Sequence, residues 1–188
     1  MKRIWLHATE RQRIEQAQQG QRKAQQALFE QHAPKMLRVC RMYLSDAFEA
    51  EEALMTAFLK VFTHLDQFTH QGSFEGWIRR IVVNTCLSAL REKKIMWPTD
   101  PMDLPESVHF EHDHRMHAEA VQQALDQLPE GYRTVFVLYA IEGYKHAEIA
   151  QQLGISEGTS KSQLAHARKA LQLALSQQNA MPYENESL

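Results

Sequence analysis

The chain has 188 residues, 44% of them hydrophobic and 23% charged, with a formal net charge of −2. That length and apolar content suit one domain or two small ones with proper cores. The near-neutral total excludes a chain that binds nucleic acid by being basic throughout, and no stretch approaches the roughly 20 apolar residues of a membrane span.

Helical spacing dominates and strand-type alternation is almost absent, so an all-α fold is predicted. Residues 10–27 are Gln-rich and read as helical, without a strong apolar face. Residues 28–44 carry Leu28, Phe29, Met36, Leu37, Cys40, Tyr43 and Leu44, a helix with a bend or a start near Pro34. Residues 48–65 carry one apolar stripe of Leu54, Phe58, Val61 and Leu65 and a second beside it of Met55, Leu59 and Phe62. Phe68 to Phe74 is a polar loop with Gly72, and residues 75–93 form a further helix. From Ile95 the pattern stops, and Pro98, Pro101 and Pro105 among acidic residues read as a flexible linker. A helix with Val121, Ala124, Leu125 and Leu128 follows, then a turn at Pro129-Glu130-Gly131 and a helix from Tyr132 to Ile141, with Gly143 suited to its C-terminal cap. Two short amphipathic segments split at Gly154 occupy about 145–175, with Ser156 as N-cap and Glu157 in the first turn. The tail from Ser176 is polar and reads as frayed.

Charge is unevenly placed: residues 1–94 carry +5 and residues 95–117 carry −4. Cys40 and Cys86 sit in apolar helical patterns and read as buried free thiols of a reducing compartment. Met1 to Trp5 begins basic but lacks an apolar signal core, so a cytoplasmic location without membrane insertion is expected.

Three segments carry chemistry. On the helix from Trp77 to Lys94, Arg80, Asn84, Leu87, Arg91 and Lys94 fall on one face, and Ile78, Val82, Thr85 and Ala89 on another. Just before that helix lie Phe68, Phe74 and Trp77 with Gln71, Gly72 and Ser73; aromatic faces beside basic residues are what unstacked bases require. The pair of segments at 145–175 fits a helix-turn-helix, with Ala150 small at the helix contact and Gly154 at the turn. Thr159, Ser160, Lys161, Gln163, His166 and Arg168 are left polar on its second helix, which suits the major groove. Ser160 stands where a small apolar residue is usual. The 48–65 helix is too apolar to be used only inward, which suggests a docking face for a partner helix as well as a place in a bundle. His109, His112, His114 and His117, with Glu111 and Asp113, read as a polar linker rather than a metal site. With no P-loop, nucleophile elbow or H-E-x-x-H, the chain is expected to be no enzyme and to need no cofactor.

Four motifs in order then carry a resemblance: A-E-E-A-L-M-T-A-F-L-K-V-F (Ala50–Phe62), G-S-F-E-G-W-I-R-R-I-V-V-N-T (Gly72–Thr85), L-P-E-G-Y-R-T-V-F (Leu128–Phe136) and the helix-turn-helix from His146 to Leu171. Together they resemble the sigma-70 family, specifically its small two-domain extracytoplasmic-function (ECF) sigma factors. The resemblance implies a sigma region 2 helical bundle at 28–94 and a region 4 helix-turn-helix at 118–175, joined by the linker 95–117. An N-terminal helical extension (1–27) precedes them and a polar tail (176–188) follows. It implies docking on RNA polymerase core, at the β′ clamp helices, through Glu51, Glu52, Leu54, Met55, Phe58 and Leu59, with region 4 resting on the β flap. Promoter −10 DNA would meet Phe74, Trp77, Arg80, Asn84 and Arg91. The −35 element would meet Ser156, Glu157, Thr159, Ser160, Lys161, Gln163, His166 and Arg168. An anti-sigma factor is a further partner the family implies. The chain departs from the family pattern at Glu52, Met55, Thr56, Ser88, Gln163 and His166. The competing reading is a stand-alone dimeric helix-turn-helix regulator, for which the apolar surplus on 48–65 would be a dimer face.

Overall fold

The computed structural model describes residues 9–93 and 118–179. The histidine cluster, the acidic linker and the residues past 179 lie outside them. The described residues are helical with no strand. The chain divides into two compact units, Met1–Ala89 and Leu90–Leu188.

The first unit opens with α1 (Glu10–Gln18). Thr9 caps it reciprocally: its Oγ1 accepts from the Gln12 amide at 3.3 Å, and Gln12 Oε1 accepts from the Thr9 amide at 2.9 Å. Ile14 and Ala17 are buried, and that narrow stripe suffices to seat α1 on α2 (Arg22–Tyr43). Residues 10–27 are therefore part of the bundle, with the break at Gly20, whose φ is +79°. Helix α2 neither starts nor ends at Pro34. A proline inside a helix costs about 3 kcal/mol, yet buried residues run on both sides of it, from Ala24 and Leu28 to Met36, Val39 and Tyr43. Packing along the whole length offsets the lost backbone bond.

Asp46 caps α3 (Ala47–Thr63), its Oδ1 accepting from the Glu49 amide at 3.0 Å. Ala50, Ala53 and Ala57 keep α3 close to its neighbours, and Phe58 meets Phe29 of α2 edge-on, ring centroids 4.8 Å apart. A 3-10 turn (Leu65–Gln67) leads into the loop before α4 (Phe74–Glu92). Ser73 Oγ accepts from the Gly76 amide at 2.9 Å and so caps α4. Ile78, Val82, Val83, Cys86, Leu87 and Leu90 are buried; Leu87 thus leaves the basic face on which sequence spacing put it. Cys40 and Cys86 meet in this core as free thiols. Their mutual hydrogen bond and their burial push the Cys86 thiol far above its usual range, so it is no reactive thiolate.

In the second unit, α5 (Ala118–Asp126) buries Ala124 and Leu125, and α6 (Glu130–Phe136) starts just after Pro129. A π turn (Val137–Ile141) extends α6 and ends before Gly143, at φ +78°. The pair α7 (His146–Leu153) and α8 (Glu157–Asn179) is joined through Gly154, at φ +67°. Ser156 Oγ accepts from the Thr159 amide at 3.0 Å, which makes Ser156 the N-cap of α8 as read from the sequence. Helix α8 runs on to Asn179, past Ser176, where the sequence predicts a frayed tail. Ile149, Leu153, Leu164, Ala167 and Leu171 close the core around Tyr132, Val135 and Leu138. Within it lies a buried guanidinium: Arg133 Nη1 is 3.8 Å from Asp126 Oδ1. Burial pushes this group below its ordinary value, with Glu130 and Asp126 opposing.

Candidate nucleic-acid and docking surfaces

On α3 the two apolar stripes have different fates. Leu54 and Phe58 are only 6% and 2% exposed, whereas Phe48, Met55 and Leu59 are 74%, 60% and 69% exposed. Leu54 and Phe58 therefore belong to the core and not to a docking face, because α3 packs against α2 along the stripe that contains them. What remains outside is Phe48, Met55 and Leu59, with Glu51 and Glu52 exposed among them. This stripe runs over the twelve residues 48–59, about 16 Å of helix. Phe48 was missed by the sequence reading; its i, i+7, i+11 spacing to Met55 and Leu59 was the available signal.

The loop before α4 holds an aromatic cluster. Phe68 and Phe74 pack edge-on with centroids 5.0 Å apart, and Trp77 stacks on Phe74 at 5.9 Å. Phe68 and Phe74 are buried and Trp77 is half-buried. Phe74 thus supports Trp77 from beneath and offers no face of its own to a base, contrary to its assignment from sequence. Trp77 borders a cleft of about 280 Å³, lined also by Lys60, His64, Gln67, Ile81, Asn84, Thr85 and Ser88. Lys60, His64 and Gln67 come from the end of α3 and the 3-10 turn, a contribution that sequence spacing on α4 alone could not reveal. Internal bonds shape the walls: Lys60 Nζ donates to Thr85 Oγ1 at 3.4 Å, Thr85 Oγ1 to the Ile81 carbonyl at 2.8 Å, and Ser88 Oγ to the Asn84 carbonyl at 2.9 Å. Asn84 is exposed on this cleft, and Arg80 and Arg91 are exposed along α4 to either side of it. An aromatic wall, an amide with both donor and acceptor, and flanking guanidinium groups can hold an unstacked base and its phosphates.

Among the α8 residues whose burial is described (157–174), the exposed ones are Glu157, Gly158, Lys161, Ser162, Ala165 and Arg168. Ser160 and Gln163 are buried, so they do not face outward as their polarity suggested. Thr159 and His166 are half-buried. The His166 ring stacks on buried Tyr132, centroids 5.5 Å apart, which turns it inward. Ser156 and Thr159 share a side-chain hydrogen bond of 2.9 Å at the start of the helix, and Lys161 Nζ lies 3.9 Å from Glu157. Ser162 and Ala165 were missed; Ala165 lies on the face of Lys161 and Arg168 at i, i+4, i+7 spacing, and Ser162 lies about 100° round the helix from Lys161. His146, at the start of α7, shares a 2.9 Å hydrogen bond with Ser160 through Nδ1. Burial lowers its pKa, as do Lys161 and Arg168, against an opposing pull from Glu157.

No cluster of three or more His, Cys, Asp or Glu that could hold a metal occurs among the described residues, and none of their helices is long and apolar enough to cross a membrane.

Comparison with known proteins matches the two units to two families. Residues 28–95 match Sigma-70 region 2, and residues 118–171 match Sigma-70, region 4. The chain is 36% identical over 155 residues to the ECF RNA polymerase sigma factor SigM of Mycobacterium tuberculosis, covering 81% of this chain and 77% of that protein. It is 29% identical over 180 residues to the RNA polymerase sigma-H factor of Pseudomonas aeruginosa, covering 88% and 93%. Among solved structures, CnrH in complex with the cytosolic domain of CnrY aligns over 89% of this chain and 97% of that one, at 22% identity and a TM-score of 0.48.

Proposed function

This chain belongs to the sigma-70 family, among its ECF sigma factors, and from that premise we propose how its surfaces divide the work of initiation. The protein acts with RNA polymerase core to direct promoter-specific transcription initiation. The stand-alone dimeric regulator is not favoured, because the curated relatives that share both regions are sigma factors.

The region 2 domain (28–94) docks on the β′ clamp helices through Phe48, Glu51, Glu52, Met55 and Leu59. Leu54 and Phe58 hold that face rigid from inside. The cleft beside Trp77 and Asn84 takes an unstacked base of the −10 element, with Arg80 and Arg91 on neighbouring phosphates. Phe74 is its buried support. The region 4 domain (118–175) lays α8 in the major groove of the −35 element and rests on the β flap. Lys161, Ser162, Ala165 and Arg168 face the DNA, while Ser156 and Glu157 sit at the helix start, where the N-terminus favours phosphate. Ser160, Gln163 and His166 set the orientation of the helix rather than reading bases. The protein has no catalysis of its own and works in the cytoplasm, and an anti-sigma factor completes the expected set of partners.

The observation that carries this reading is the presence, in one chain, of both sigma-70 regions in order, each with an exposed face of the right chemistry. The test is capture of core polymerase by the tagged protein, followed by run-off transcription on genomic fragments. Core binding with discrete start sites supports it; a folded protein that neither binds core nor selects start sites overturns it.

A further inference from the structure

Four side chains from three parts of the second unit form a continuous chain of contacts that ends at the DNA-facing side of α8. Ser160 is fully buried on α8, and its hydroxyl shares a 2.9 Å hydrogen bond with His146 Nδ1 at the start of α7. A buried hydroxyl needs such a partner, and this one ties the two helices of the motif together. The other face of the His146 contact is the Tyr139 ring, stacked with centroids 4.6 Å apart and an interplanar angle of 24°. Tyr139 belongs to the π turn Val137–Ile141, an arrangement that inserts an extra residue into a helix and re-aims the side chains after it. The Tyr139 ring carries the last contact: the Arg168 guanidinium carbon lies 5.6 Å from its centroid, within cation–π range.

Arg168 is exposed on α8, in line with Lys161 and Ala165. A long, exposed arginine would otherwise sample many rotamers and lose that freedom on binding; one already laid against a ring loses less. We propose that Tyr139, braced by His146 and Ser160, is a positioning residue that aims Arg168 at promoter DNA. This rests on the reading of α8 as the −35 helix. It also accounts for Ser160, where a small apolar residue is usual: the hydroxyl is the anchor of the brace.

The test is a double-mutant cycle on holoenzyme, reconstituted from the full chain and core polymerase, with the strongest run-off promoter fragment as probe. Tyr139→Leu should weaken promoter binding about two- to fivefold, the worth of one exposed cation–π contact, and Tyr139→Phe, which keeps the ring, should restore it. In an Arg168→Ala background Tyr139→Leu should cost nothing further, an outcome that a merely structural tyrosine would not give. If Arg168→Ala weakens binding and the Tyr139→Leu loss adds to it in full, or is absent, the positioning role is overturned and the −35 reading stands. If Arg168→Ala leaves binding unchanged, Arg168 makes no promoter contact, and the reading of that residue and the inference fall together. Thermal unfolding monitors the fold; should Tyr139→Leu melt early, the same cycle with His146→Gln, which removes the stack and keeps a polar partner for Ser160, decides.

Discussion

Leu59→Ala is expected to weaken binding to RNA polymerase core without weakening the fold. The substitution removes three carbons, worth about 0.8 kcal/mol each on full burial. With 69% of the residue still open to be covered, the loss is about 1.6 kcal/mol, or about fifteenfold in Kd. Met55→Ala, from a residue 60% exposed, should fall slightly below that. Leu54→Ala is the contrast. It opens a cavity in the α2–α3 core and should cost about 2–5 kcal/mol of stability, while core affinity stays near wild type wherever the variant is folded. Competition of each variant against fluorescently labelled wild-type protein for core polymerase gives Kd, and circular dichroism melting gives stability. If Phe48→Ala, Met55→Ala and Leu59→Ala all bind core within about twofold of wild type, where a loss of about fifteenfold is worked out above for Leu59→Ala, the exposed stripe is not the docking face and the argument from burial fails.

Arg133→Met should leave stability unchanged or raise it by about 1 kcal/mol, because it replaces a buried and loosely paired charge with an apolar side chain of similar length; a urea midpoint implying a loss beyond about 2 kcal/mol would show that the pairing is worth more than its 3.8 Å separation suggests. His32 is buried with Nε2 3.2 Å from Glu10, and burial lowers its pKa against the opposing pull of Glu10 and Glu75. The unfolded chain therefore takes up a proton below about 6.5 that the folded chain resists, and stability should fall as pH drops from 6.5 towards the lower folded value. His32→Gln should flatten that part of the slope, and equal losses in both proteins on acidification would exclude His32 as the cause. Asn84→Ala should relax −10 base preference by roughly 1 kcal/mol or more, read by run-off transcription from promoters with single −10 substitutions; an unchanged preference order removes Asn84 from the site. Lys161→Ala should weaken −35 binding evenly across sequences and reduce the salt slope by about 1, and an unchanged slope would mean that Lys161 reaches no phosphate.

The sequence by itself determined the kind of protein this is. Helical periodicity is local, so the helices of both units, the cap at Ser156 and the turns at Gly143 and Gly154 could be read from short windows of residues. Motif order then supplied the family, since four motifs at plausible spacing do not arise from helix propensity alone. Tertiary structure decided which faces point outward. Helix α3 carries two neighbouring apolar stripes, and nothing in its own sequence says which one meets α2; only the packed bundle assigns Leu54 and Phe58 inward and leaves Phe48, Met55 and Leu59 exposed. Polarity misled for the same reason at Ser160. A hydroxyl is expected outside unless a partner awaits it inside, and the partner is His146, fourteen residues away and on another helix. The cleft at Asn84 likewise combines α4 with Lys60, His64 and Gln67, which share no periodicity with it. Burial and pairing are properties of contacts between segments, and a one-dimensional pattern records only the segments.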